Sequence, residues 1–337
     1  MRKKVAFIGT GGTISSVGRG PLEITDYAGA MAKAPETYML HAEGVLAAVP
    51  AVQEVAEVIP VAFRNMASPA IYFDEWKEIA ALCQRTVEDI PDLAGIVIGH
   101  GTATLEETAY FLSLTLKVAI PVVIVGSQRA LNSLSSDAPL NLVSAIRVAA
   151  SPESRGRGVL VLLNDEIQAA REVTKTSTFR LQAFRSQEYG ILGCVDGDAV
   201  RYYRRTERRH APDTEFDVSG LAALPRVDIC FSYAGADGAA VRGFVAAGAR
   251  GIVSAGFAPG SLAPGEAEAL VAAAAAGVVV VQSTRAGSGA ALDSVQSRER
   301  GFLTADNLNP QKARLLLALA LSATSDPTEI ARVFRDY

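Results

Sequence analysis

The chain has 337 residues, 49% hydrophobic and 20% charged, with a formal net charge of −4 at pH 7. That length predicts two domains, each with its own core, and the acidic balance leaves no basic footprint for nucleic acid. Three cysteines and three histidines, all far apart, give no disulfide framework and no metal-ligand cluster, so any hydrolytic chemistry would draw on other residue types.

The basic start, Met1-Arg2-Lys3-Lys4, precedes only four apolar residues before Gly9, too few for a signal-peptide core. No run approaches the ~18 apolar residues of a membrane span. The expectation is a cytoplasmic chain with no membrane partner. A strand at 5–8 runs into Gly9-Thr10-Gly11-Gly12-Thr13, and a strand at 95–99 into His100-Gly101-Thr102 with a helix from 105 to about 117. A strand at 120–125 precedes a polar loop and a helix near 140–150, and a strand at 159–163 leads into Asn164-Asp165-Glu166. Continuous apolar strands alternating with helices predict a parallel sheet covered on both faces, with the ligand beyond the strands' C-terminal ends. All the polar loops just named sit at such ends.

Near residue 200 the composition turns basic, with Arg201, Arg204, Arg205, Arg208 and Arg209, and reads as a solvated linker. A second strand–helix series follows, with strands at 227–233, 251–255, 278–283 and 301–306. Its helices fall near 239–247, 264–275, 309–322 and 327–334. The expected fold class is therefore α/β: a larger N-terminal domain at 1–200, a linker at 201–223 and a smaller C-terminal α/β domain at 224–337.

Three constellations carry possible chemistry. The glycines at 9–12 fail the G-x-G-x-x-G dinucleotide pattern because Ile14 stands at its third glycine. They still let the backbone approach a ligand closely, with Thr13 at the tip. His100-Gly101-Thr102-Ala103-Thr104 sets hydroxyls and free N–H groups at a strand-to-helix junction suited to negative charge. Thr104 and Glu107 have the spacing of a capping box and are assigned to structure. Lys175, flanked by Thr174 and Thr176, is a candidate proton acceptor if its ammonium is desolvated.

TGGTI at 10–14, HGTATLEETAYFL at 100–112, NDEI…REVTKT at 164–176 and LNPQKARLLLALAL at 308–321 together resemble the bacterial L-asparaginase/glutaminase family, in its order and spacing over nearly the whole chain. The resemblance implies a larger N-terminal and a smaller C-terminal α/β domain, no cofactor or metal, a small-molecule amide substrate, and a homotetramer of two intimate dimers. It matches Thr13 to the nucleophile, Thr102 and Lys175 to a second Thr-Lys-Asp set, and Tyr27 to an activating loop tyrosine. Ser68 falls where the family binds the substrate's α-carboxylate, and Gly12, Ala103 and Ser127 complete the candidate substrate-binding set. The implied chemistry is attack of a hydroxyl on an amide carbonyl, an acyl-enzyme, loss of ammonia and hydrolysis.

The chain also departs from the family. Its HGTDT motif is HGTAT here, with Ala103 in place of an aspartate; Pro69-Ala70 replaces a Gln-Asp pair, Gly235 an asparagine, and 293–297 lacks the glutamate donated across subunits. The losses fall on groups that bind an α-ammonium, so the expected substrate is a carboxamide without a free α-amino group. Ordinary asparaginase activity, an ester, lactone or imide substrate, and a catalytically silent relative are the alternatives.

Overall fold

The structure, a computed structural model, describes residues 2–25 and 38–337; Tyr27 lies outside the described residues. The chain forms two compact units, Met1–Glu215 and Phe216–Tyr337.

In the first unit β1 (Lys4–Gly9), β2 (Glu57–Val61), β3 (Leu93–Gly99), β4 (Val122–Val125) and β5 (Val159–Leu163) form the parallel part of an eight-stranded sheet. Its centre bears out the expected doubly covered sheet: β3, β4 and β5 are almost entirely buried, as unbroken β-branched runs require. On one face pack α1 (Ala42–Ala48), α2 (Val52–Val55) and α5 (Ala138–Ala150), against Val5, Phe7, Val97, Val123 and Leu160.

Two further α-helices among the described residues of this unit are α3 (Phe73–Asp89) and α4 (Leu105–Thr115). In α3 the buried residues Phe73, Trp76, Ile79, Cys83 and Thr86 recur every three or four positions, the stripe of a half-covered helix. In α4 every residue but Glu107 is buried; apart from Glu106 the buried positions are apolar or uncharged, the pattern of a helix covered on all sides. The two helices meet through Trp76 stacked on Phe111, with ring centroids 4.9 Å apart.

The sheet then reverses, which the strand–helix alternation did not anticipate. β6 (Glu166–Ala169), β9 (Gly193–Asp196) and β10 (Ala199–Tyr202) extend it antiparallel, in the order β10-β9-β6-β5-β4-β3-β1-β2. The cause is local: Asn164 and Asp165 both take left-handed backbone, at φ 53° and 62°, and close a two-residue hairpin between β5 and β6. Asn and Asp tolerate that conformation best among residues with side chains. A separate two-strand ribbon, β7 (Thr174–Lys175) with β8 (Phe184–Arg185), carries Lys175.

The basic segment after 200 belongs to this unit as far as Glu215. It begins inside β10, and the Ala211 N–H donates to the Ser113 carbonyl at 2.8 Å. Two of its arginines are engaged within the unit: Arg204 pairs with Glu172 and donates to the Ile191 carbonyl, and Arg209 reaches Asp213 and Glu215.

The second unit is a four-stranded parallel sheet of β11 (Val227–Phe231), β12 (Gly251–Gly256), β13 (Val279–Thr284) and β14 (Leu303–Thr304), in that order. One face packs α6 (Ala239–Ala246) and α7 (Pro264–Ala275) on Cys230, Ile252 and Val280. On the other, a Cβ at Gly251 would stand 2.7 Å from Leu317 of α9 (Pro310–Ala323), so that helix rides close on β12. α8 (Val295–Glu299) and α10 (Pro327–Asp336) complete the unit. The helix expected near 264–275 and the strand expected at 278–283 are α7 and β13. Gly277 at φ 88° ends α7, with its own N–H on the Ala274 carbonyl and the Val278 N–H on that of Ala273. No helix among the described residues is long and apolar enough to cross a membrane.

Candidate active site

The site is assembled at the C-terminal ends of the parallel strands. β1 and β3 run in register to Gly9 and Gly99, and the Thr10 N–H and hydroxyl both donate to the Gly99 carbonyl at 2.9 Å. The loops leaving these strands then touch. Gly12 has φ 83°, and a Cβ there would lie 2.2 Å from the Gly101 Cα, closer than atoms can approach. Only glycine supplies both the backbone sign and the space. Thr13 and Thr102, each one residue beyond that contact, are thereby held on adjacent loops. Gly12→Ala is expected to destabilise the unit by about 1–3 kcal/mol, the usual cost of such strain. Urea unfolding measures this, and a loss below about 0.5 kcal/mol would contradict the close approach.

Thr102 and Lys175 meet directly. The Lys175 Nζ lies 2.7 Å from the Thr102 Oγ1, although 73 residues separate them. Thr102 is buried and Lys175 half-buried. Desolvation, the larger effect, pulls the Lys175 pKa below the ordinary lysine value, and the charge of Glu106 opposes it. Glu106, in the first turn of α4, is 6% exposed and accepts the Lys175 backbone N–H at Oε1, 3.2 Å away.

Beneath Thr102 the His100 side chain is fully buried. The Trp76 indole, a donor only, gives its N–H to the Thr108 Oγ1 at 2.8 Å, and Thr108 lies 2.9 Å from the His100 Nε2. The Gly101 carbonyl, 2.8 Å from Nδ1, can only accept, so neutral His100 carries its proton on Nδ1 and its Nε2 accepts the Thr108 hydroxyl proton. Burial pulls this histidine down to about 4, so it stays neutral at physiological pH and is a brace for the loop.

The other candidates divide. Ser68 is buried beside the same loop: a Cβ on Gly101 would stand 2.7 Å from its Oγ. Thr104 occupies the N-cap position of α4 but makes no side-chain cap bond; its hydroxyl donates instead to the Ser68 carbonyl at 2.7 Å. The capping box expected there is replaced by a tie between the two loops. Ala103 is exposed beside Thr102. The Gly12 N–H points to the Met39 Sδ at 3.1 Å. Ser127 is fully buried, with its hydroxyl donated to the Arg129 carbonyl at 2.8 Å, because the loop after β4 folds back on itself around Asp137. Arg64 is paired with Glu75 and Glu78. Arg129 donates to the Ser135 carbonyl at 2.8 Å.

Glu106 is the site residue that sequence reasoning missed. Nothing in the sequence marks it beyond a place in a helix's first turn, since its partner is 69 residues away. In the second unit Gly235 sits in a turn at φ 83°, and Asp293, the carboxylate in the segment 293–297, pairs with Arg298 at 2.9 Å. No group of three or more His, Cys, Asp or Glu among the described residues is arranged to hold a metal ion.

Two hydroxyls at adjacent strand ends of an α/β fold, one of them met by a desolvated amine from a separate ribbon, suit a hydrolase that works on carbonyl compounds through hydroxyl chemistry. The comparisons narrow the class to hydrolases acting on carbon–nitrogen bonds in linear amides. Residues 4–208 match the family model "Asparaginase, N-terminal" and residues 226–334 "Glutaminase/Asparaginase C-terminal domain". The chain belongs to the asparaginase family. It is 40% identical over 335 residues to L-asparaginase 2 of Bacillus subtilis (strain 168), spanning 99% of this chain and 86% of that protein. It is 36% identical over 338 residues to the glutaminase-asparaginase of Pseudomonas fluorescens biotype A, spanning 99% and 90%. The crystal structure of a probable cytoplasmic L-asparaginase from Campylobacter jejuni superposes with a TM-score of 0.92 at 35% identity, covering all of both chains.

Proposed function

We propose that this chain hydrolyses the carboxamide of a small carboxylate-bearing substrate that lacks a free α-amino group, with Thr13 as nucleophile. The observation that carries the reading is the 2.7 Å contact of Lys175 with Thr102 beside an exposed Ala103, where the family motif has an aspartate. The Thr13 hydroxyl attacks the amide carbon, the C–N bond breaks, and the hydroxyl proton leaves with the nitrogen as ammonia. Water then attacks the resulting Thr13 ester, releasing the carboxylic acid and restoring the hydroxyl. Neutral Lys175 takes a proton from the attacking water, directly or relayed through the Thr102 hydroxyl, and that proton is then returned to the departing Thr13 oxygen, leaving the amine neutral again. Ser68 meets the substrate carboxylate, and the loop backbone at Gly12 lines its path.

An α-ammonium bound here would lack the anionic partner at 103, and a buried ammonium left unpaired costs several kcal/mol. The same reading takes the protein as a cytoplasmic homotetramer, testable by light scattering against four times the 35.3 kDa chain mass. Ammonia release from succinamate, asparagine and glutamine, assayed side by side, tests the substrate. Succinamate is expected to turn over fastest; much faster release from asparagine would overturn the proposal. Thr13→Ala is expected to abolish all three with folding intact. The second reading, ordinary L-asparaginase/glutaminase activity, is favoured by the names of relatives 36–40% identical to this chain.

A further inference from the structure

We propose that Glu106 is the positioning residue of this site, holding Lys175 against Thr102 through its backbone and acting as the carboxylate at the amine where Ala103 supplies none. The inference rests on the assignment of Thr102 and Lys175 to the chemistry.

β7, the strand that carries Lys175, is two residues long and pairs only with the equally short β8. Such a ladder fixes little by itself, since an isolated hairpin is marginal in water. The bond from the Lys175 N–H to the Glu106 Oε1 ties that ribbon to α4, the buried helix that begins three residues after Thr102. Thr102 and Lys175 are therefore both tied to the same helix, α4. A carboxylate in the first turn of an eleven-residue helix is also favoured by the helix dipole.

Among the described residues the charge that acts on the Lys175 amine comes from Glu106. α4 presents Glu106. From β8 the Phe184 ring centroid lies 6.0 Å from Nζ, and the neighbouring Arg185 donates its guanidinium to Gln182. In the turn before β7, Glu172 is paired with Arg204. Glu106 is thus the carboxylate whose charge is felt at the amine, and it opposes the desolvation that lowers the lysine's pKa.

Two substitutions separate the geometric and electrostatic roles. E106Q keeps a carbonyl oxygen as acceptor for the Lys175 N–H and removes the charge. E106A removes both. E106Q is expected to keep kcat within about fivefold and to move the acidic limb of the pH–activity profile to lower pH, because a neutral amine is then reached sooner. E106A is expected to lose at least about thirtyfold in kcat with KM nearly unchanged. A readout independent of turnover is the pH midpoint of Lys175 acetylation by acetic anhydride, followed by mass spectrometry. In E106Q that midpoint should fall.

An unchanged midpoint in E106Q would overturn the electrostatic role. Activity of E106A within twofold of the parent would overturn the positioning role. If E106A does not fold, E106Q decides, since loss of more than tenfold at its own optimum shows that the acceptor alone does not hold the lysine, and the proposal fails. Full activity of Lys175→Met would instead sink the assignment of the site while leaving the labelling result standing.

Discussion

Lys175→Met is expected to lower kcat by about 10²–10⁴-fold, the range that a positioned general base contributes, while leaving the fold intact. Methionine keeps an unbranched stem of similar reach and removes only the amine that lies 2.7 Å from the Thr102 hydroxyl. The pH profile should change with it. Desolvation lowers the Lys175 pKa, and the neutral amine is the form that accepts a proton. Activity in the parent therefore rises as pH rises through that lowered value, and its acidic limb falls below the range of an exposed lysine, about 10.4. In Lys175→Met that limb should vanish. Lys175→Arg is the informative companion: arginine keeps the positive charge but cannot give up its proton, so it should fail as methionine does. Residual activity within tenfold in either variant, with the limb unmoved, would show that the amine is not the acceptor.

Much of this site was legible in the sequence because its parts lie at ends of unbroken apolar strands. The β-branched runs leading to Thr13 and Thr102 announced buried parallel strands, and such strands place the residues after them beside one another. The order of motifs added the family, and with it the pairing of Thr102 with Lys175. What the sequence withheld was of another kind. Whether Glu106 or Glu107 turned inward depended on how α4 lies in the core, and its partner is on a ribbon reached only after the sheet has reversed at Asn164 and Asp165. The same limit applies to Thr104. Its spacing to Glu107 suits a cap, but the Ser68 carbonyl, brought close by a separate loop, takes the hydroxyl bond instead. Ser127 illustrates the converse. A serine after a strand end has the right place, yet its loop curls so tightly that the hydroxyl finds the Arg129 carbonyl first. Local pattern fixes the elements and the strand ends; which polar group each side chain meets is decided by loops distant in sequence.

Ala103→Asp should change which substrate the site prefers, and it separates the substrate reading from its rival. Ala103 is exposed and adjacent to Thr102, so an aspartate there can be accommodated without displacing packed side chains. Its carboxylate has two possible partners. Toward the substrate it supplies the anion that an α-ammonium lacks, and a hydrogen bond to a charged group contributes about 1.5–3 kcal/mol. The ratio of kcat/KM for asparagine to that for succinamate should therefore rise about ten- to a hundredfold, at 1.4 kcal/mol per tenfold. Toward Lys175 it adds a second negative charge to that of Glu106, favours the ammonium, and moves the acidic limb to higher pH. The two effects need not occur together, and that makes the variant decisive. A shifted limb with an unchanged substrate ratio would place the new carboxylate at the lysine but away from the substrate. The identity of residue 103 would then govern only the proton acceptor, and the preference for a substrate without an α-amino group would lose its physical basis.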